Sequence, residues 1–169
     1  FDHAVAAYAE RPALGTLDGE RWTWTSYGQL ADLVARCRAG LAALGIGRGD
    51  RVAVICDNRL EWVIVAHATY QRRALLVPMY EAQLDDEWTH ILADSGTKVC
   101  FVANHSVAER VSRLREDLLE LQHIVSMEAS TDAPSEFAGL LERGAERPIK
   151  ERSPDPNDVA TIIYTSGTT

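Results

Sequence analysis

Four short apolar runs rich in β-branched residues recur along the chain, and each is followed or preceded by a stretch with helical spacing. They are RVAVIC (Arg51–Cys56), ALLVPMY (Ala74–Tyr80), KVCFVA (Lys98–Ala103) and HIVSM (His123–Met127). Runs of this length and composition suit strands buried on both faces. Between them lie three helical patterns. Asn58 is placed to cap the first, which has Glu61 in its first turn and runs to about Gln71. Leu84 to Ala93 carries Trp88, Ile91 and Leu92 on one side, and Val107 to Leu121 forms the third. A β-α-β-α-β-α-β order requires right-handed crossovers. It therefore predicts an α/β fold, a mainly parallel sheet flanked by helices on both faces.

Before this alternation the sequence carries a hairpin signal. Asp18-Gly19 separates Thr16-Leu17 from the alternating run Arg21–Trp24, and Asp-Gly favours a two-residue turn. Ser26 with Gln29 forms a capping-box pattern. Leu30, Leu33, Val34, Cys37, Leu41 and Leu44 follow at helical spacing, and Gly45 is placed to end that helix. After the fourth strand the reading changes. A short helix is expected around Glu136–Arg143, and the Pro-rich SPDPND (Ser153–Asp158) reads as a surface connection. Pro78 is expected to end its strand. VATIIYT (Val159–Thr165) re-enters the core as a strand and delivers TSGTT. Ligands of open α/β sheets sit outside the carboxyl ends of strands, so this loop is the candidate site.

The 169 residues, 46% hydrophobic and 25% charged, are those of one ordinary globular domain. The chain opens on Phe1 rather than Met, so a preceding segment is expected. No segment has the ~18 consecutive apolar residues that a membrane span needs, and no signal peptide is visible. A net charge of −8 excludes a general nucleic-acid binder. Cys37, Cys56 and Cys100 are odd in number and set in apolar runs. They read as small core residues, which fits a reducing, cytoplasmic compartment. No metal site is expected from the single, scattered His3, His67, His90, His105 and His123. Asp85-Asp86-Glu87 opens a helix, where acidic residues complement the dipole. GIGRGD (Gly45–Asp50) follows a helix and precedes a strand, the reverse of a dinucleotide fingerprint, and no Gly-Lys-Ser/Thr occurs. A kinase-like or dehydrogenase module is thereby disfavoured.

Gly167 allows backbone geometry that other residues resist, and successive N–H groups in such a turn make an anion-binding concavity. Thr165, Ser166, Thr168 and Thr169 add hydroxyl donors around it. Composition alone leaves two readings open, a polyphosphate cradle or a plain solvated turn. YTSGTT (Tyr164–Thr169) resembles the first half of the phosphate-loop motif of the AMP-forming acyl-CoA synthetases. That superfamily also contains adenylation domains of peptide synthetases and luciferase-like enzymes. WTSYGQL (Trp24–Leu30), GIGRGDRVAV (Gly45–Val54), NRLEW (Asn58–Trp62), ALLVPMY, ILADSGTKVCFV (Ile91–Val102) and NDVATIIYTSGTT (Asn157–Thr169) resemble family text in order and spacing. The resemblance is weakest from about Ser106 to Ser153. Arg73 departs from the pattern, standing where the family usually has a Gly that ends a helix left-handed. An L side chain there carries a backbone penalty that Gly avoids.

The resemblance implies the following expectations. The full enzyme joins a carboxylic acid to coenzyme A in two steps, using ATP and Mg2+ through an acyl-adenylate. Thr165, Ser166, Gly167, Thr168 and Thr169 are the cofactor-binding phosphate loop, and no catalytic residue or metal ligand falls within 1–169. The chain is then a partial N-terminal AMP-binding domain ending inside that loop, inert by itself. The rest of the large domain and a small C-terminal domain would follow. VPMYE (Val77–Glu81) resembles long-chain fatty acyl-CoA ligases more than amino-acid adenylation domains. An amino or aromatic acid, or an inactive scaffold of the same fold, are the alternatives. A chain cut here would leave apolar surface and a sheet edge bare, so self-association is expected.

Overall fold

The computed structural model describes residues 1–129, 134–150 and 154–165. Helix α1 (Asp2–Tyr8) precedes a hairpin of β1 (Pro12–Asp18) and β2 (Arg21–Ser26). Then follow α2 (Tyr27–Ala43), β3 (Arg51–Ile55), α3 (Leu60–Gln71), β4 (Leu75–Met79), α4 (Asp85–Ser95), β5 (Val99–Val102), α5 (His105–Arg113), a 3-10 turn (Arg115–Asp117), β6 (His123–Ser126) and α6 (Glu136–Glu146). Strands β3 to β6 form one parallel sheet in the order β4-β3-β5-β6. The α/β class and the parallel sheet are as the sequence predicts.

The pleat sorts the core into two layers. Val52 and Val54 of β3 face one side, with Phe101 of β5, and bury against α2, α3 and α6. Ala53 and Ile55 face the other, with Cys100 and Val102, and bury against α4 and α5. Helices thus cover both faces. Cys37, Cys56 and Cys100 are buried and unpaired, as small core residues should be.

Several local expectations are corrected. The hairpin turn is Gly19-Glu20, because Asp18 still pairs with Arg21. Gly19 takes φ 59°, which suits Gly at the first central position. Helix α3 is capped by Arg59 rather than Asn58, and no side chain bonds its first turn. Arg59 turns away to Glu61 (Nε to Oε2, 2.9 Å) and to the carbonyl of Ala103 (3.1 Å). The helix expected to reach Leu121 stops at Arg113. Its 9 residues rise about 14 Å, which matches the height of the 4-residue strand it must return beside. A longer helix would overshoot the start of β6. The capping box of α2 forms as expected, with Ser26 Oγ accepting from Gln29 N (3.2 Å) and Gln29 Oε1 from Ser26 N (2.8 Å).

The region after β6 is more than a surface connection. Phe137 and Leu140 of α6 are buried, and Arg38 of α2 donates to the carbonyl of Ile149 at 3.0 Å. Helices α2 and α6 meet through glycine. A Cβ on Gly144 would lie 2.0 Å from the Arg36 carbonyl oxygen, and one on Gly40 would lie 2.6 Å from Leu140 Cγ. Gly144→Ala is expected to lower stability by about 1–3 kcal/mol despite alanine's better helix propensity, because one backbone must move off the other. Urea unfolding of the variant beside a Gly→Ala control in the same helix, Gly139→Ala, whose added Cβ would meet only the Arg143 side chain at 3.4 Å, measures this.

Candidate functional site

The site is built by the segment that ends at Thr165. It runs along the outer edge of β4, where Leu76 N–H donates to Ala160 O and Ile162 N–H to Leu76 O, both at 2.9 Å. These two bonds make a single parallel bridge between Leu76 and Thr161, so the expected strand over Val159–Thr165 does not form. The reason is Pro78. It lies inside β4 rather than ending it, on the same outward side as Leu76. The next rung would need an N–H at residue 78, which proline lacks.

Side chains hold what the ladder does not. Arg73 forks onto Asp158, Nε to Oδ2 at 2.5 Å and Nη2 to Oδ1 at 2.8 Å. Tyr70 and Thr161 share a hydroxyl hydrogen bond at 3.2 Å. Tyr164 donates to Asp94 Oδ2 at 2.6 Å and meets the His90 ring edge-on, centroids 6.2 Å apart. Burial and the Asp94 carboxylate together push the Tyr164 hydroxyl up to about 12. That keeps it a proton donor at any physiological pH.

Asp158 was expected on an exposed connection, yet its side chain is only 11% exposed. The hydrogen bonds from Arg73 and from the Asp155 N–H hold its carboxyl down at about 2. A carboxyl held below its unfolded value of about 3.9 contributes stability above that pH, and the contribution disappears as pH falls toward the folded value. Asp158→Asn is therefore expected to be less stable than the parent chain above about pH 4, with the difference closing between about pH 4 and pH 2. Denaturation midpoints across that range check it.

The segment forms one wall of a cleft at the carboxyl ends of β3 and β4, with a volume of about 830 Å³. Cys56, Asn58, Trp62, Tyr80, Tyr164 and Thr165 are among the residues that line it. Thr165 also borders a smaller hollow of about 360 Å³ beside Glu87 and His90. Next to the cleft, Glu81 closes the crevice between β3 and β5. Its carboxylate accepts from Asp57 N at 3.0 Å and from Asn104 Nδ2 at 3.4 Å. The open cleft therefore lies between β3, β4 and the terminal segment.

The cleft lining mixes aromatic and aliphatic side chains (Trp62, Tyr80, Met79, Ile91) with the polar Asp57, Asn58 and Gln83, and its described part contains no Lys or Arg. Its aromatic and aliphatic lining residues can pack against a ring-shaped or apolar body. Of the loop expected from sequence, Thr165 is placed in that lining. Ser166, Gly167, Thr168 and Thr169 lie outside the described residues. Among the described residues no three of His, Cys, Asp and Glu come together to hold a metal ion. Asp85, Asp86 and Glu87 lie in the first turn of α4, as expected; Glu87 accepts the Leu84 N–H at 2.9 Å, while Asp85 pairs with Arg110 of α5 at 2.5 Å. Among the described residues no helix is long and apolar enough to cross a membrane.

Sequence reasoning missed Tyr164–Asp94, Trp62 and Tyr80 as parts of the site. No local pattern marks them, since they meet only through the sheet. Arg73 did carry a signal, an arginine where a left-handed residue is required. Its φ is 56°.

Comparisons with known proteins agree with the fold. The chain is 30% identical over its whole length to Arabidopsis thaliana "Long chain acyl-CoA synthetase 6, peroxisomal", of which it covers 26%. It is 33% identical over 88% of its length to "Long-chain-fatty-acid--CoA ligase FadD15" of Mycobacterium bovis, of which it covers 25%. The chain thus spans about a quarter of the length of these relatives. Its fold matches an anthranilate CoA ligase solved with anthranoyl-AMP, with TM-score 0.81 and 21% identity over 98% of this chain and 30% of that one. It also matches a Mycobacterium tuberculosis fatty acyl CoA synthetase, with TM-score 0.76 and 24% identity over 98% of this chain and 31% of that one. The family described as "AMP-binding enzyme" matches residues 1–169. The chain belongs to the AMP-binding enzyme family.

Proposed function

We propose that the chain is the N-terminal part of the large domain of an AMP-forming carboxylate–CoA ligase, with a fatty acid as the acid activated. The observation that carries this reading is the family match along residues 1–169, with Thr165 lining a cleft at the strand ends. The relatives named for long-chain fatty acids support the acid class. The aromatic and aliphatic residues that line the cleft are compatible with it.

The chemistry takes two steps. A carboxylate oxygen attacks the α-phosphorus of ATP, the bond to the bridging oxygen breaks, and pyrophosphate leaves with that electron pair. The thiol of coenzyme A then gives up its proton, attacks the acyl carbon and displaces AMP. Negative charge grows on the leaving pyrophosphate, so fixed N–H and O–H donors aimed at its oxygens lower the barrier. Thr165, Ser166, Gly167, Thr168 and Thr169 are the residues proposed for that task. The described residues offer no carboxylate cluster for Mg2+, and no step is assigned to the ion here. By this reading the 169-residue piece is inert alone, and turnover of ATP by it would overturn that part. The exposed Val159 and Ile163 are consistent with its self-association. The three buried, unpaired thiols fit a reducing compartment such as the cytoplasm.

ATP–pyrophosphate exchange by the whole protein tests the reading, with acids from acetate to palmitate plus aromatic and amino acids, followed by coenzyme A. Exchange with fatty acids and thioester formation are expected. Exchange with aromatic or amino acids alone would replace the substrate class. No exchange in a folded protein would leave the inactive scaffold of the same fold.

A further inference from the structure

Arg73 is the one non-glycine residue with positive φ among the described residues. Glycine would hold the same turn without strain. The arginine side chain supplies what glycine cannot, a planar fork matched to a carboxylate. Both of its contacts to Asp158 use that fork, at 2.5 and 2.8 Å. Arg48 reaches the same carboxylate at 3.3 Å from a side chain that is 71% exposed, a weaker hold.

Both ends of this pair are fixed to backbone. The Arg73 carbonyl accepts the Gly49 N–H at 2.9 Å, and its N–H donates to Tyr70 O at 2.8 Å. Asp158 Oδ2 accepts the Asp155 N–H, and Asp158 N–H donates to Asp155 O, each at 2.9 Å. The clamp therefore joins the turn before β4 to the turn that launches the terminal segment. Among the described residues beyond Asp158, only the bridge at Thr161 ties backbone to backbone, because Pro78 removes the next donor. A segment without a ladder has weakly specified register, and a slip of one residue sends every side chain to the opposite face.

We infer that Arg73 is a positioning residue: its fork onto Asp158 sets the register in which Ala160–Thr165 docks along β4, and so where Thr165 meets a nucleotide polyphosphate. The first half of this statement stands on the geometry alone, and the second rests on the proposed function. Arg73 touches no reacting atom. It acts through Asp158 and the seven-residue step from 158 to 165.

The test uses the whole protein with Arg73→Gly, Arg73→Lys, Asp158→Asn and the double variant Arg73→Gly/Asp158→Asn. Arg73→Gly relaxes the turn and is expected to keep the fold by circular dichroism. Amide exchange at Ile162 is expected to quicken roughly fivefold, the scale of one partly exposed ion pair. KM for ATP is expected to rise by a similar factor, with KM for the acid unchanged. Arg73→Lys should fall between parent and Arg73→Gly, and the double variant should be no worse than the worse single one. Unchanged Ile162 exchange in Arg73→Gly and Asp158→Asn would overturn the clamp, whether or not the protein is active. Faster Ile162 exchange with an unchanged KM for ATP would overturn its link to the nucleotide. An equal rise in both KM values would reduce Arg73 to a structural role. A parent protein with no exchange activity would sink the proposed function, while Ile162 would still decide the clamp.

Discussion

Trp88→Ala is expected to lower the stability of the protein by about 3–5 kcal/mol, the largest loss from any one side chain here. Trp88 is 0% exposed and lies in the layer between the sheet and α4 and α5. Its removal leaves a cavity that the parallel sheet cannot close, because strands fixed by their ladders relax little. Two specific contacts go with it. Trp88 Nε1 donates to the Tyr80 carbonyl at 3.0 Å, and the Arg110 guanidinium sits 3.9 Å from the ring centroid. The first holds the carboxyl end of β4, one wall of the cleft. Trp88→Phe keeps most of the buried area and loses that bond, while the carbonyl keeps a longer one from the Gln83 N–H at 3.3 Å, and about 0.5–1.5 kcal/mol is expected for the lost bond. Urea denaturation of both variants orders them. Equal midpoints for Trp88→Ala and the parent would contradict the packing described.

Ser166→Ala combined with Thr168→Ala, in the whole protein, is expected to slow ATP–pyrophosphate exchange by about 100-fold or more. The effect should fall on kcat, because these hydroxyls are proposed to serve charge that grows as pyrophosphate leaves. KM for the acid should stay within about twofold, since uniform binding of the acid is not their task. Thr165→Ser keeps a hydroxyl at that position and should retain most activity. A double variant with parental kcat would remove the loop from the chemistry and leave TSGTT as a solvated turn.

The alternation of apolar β-branched runs with helical spacing was enough to give the sheet and its flanking helices. RVAVI and VCFV are buried along their whole length, with only Arg51 at the edge of the core, and such strands read plainly in one dimension. Ser26 with Gln29 was equally legible, because a capping box is local. The end of α5 was not. Val107, Val111, Leu114, Leu118 and Leu121 keep helical spacing, and only the height of the neighbouring strands stops the helix. Pro78 was read as a strand breaker because proline lacks a donor. The missing donor acts instead on the neighbour, since in an edge strand it faces outward.

The candidate site divides along the same line. TSGTT was visible in sequence, and the position of Arg73 stood out only because the resembled family usually has a Gly there. By itself the sequence determined the α/β class and the two-faced burial, because these follow from periodicity and local backbone chemistry. Only the tertiary structure decided that Arg73 reaches Asp158, that Tyr164 reaches Asp94, and that Glu81 closes one crevice and leaves the next open. Those contacts join residues 85, 70 and 24 positions apart, the last being Glu81 to Asp57. Long-range pairs of this kind are set by strand order and crossover, and nothing in the spacing of residues along a chain records them.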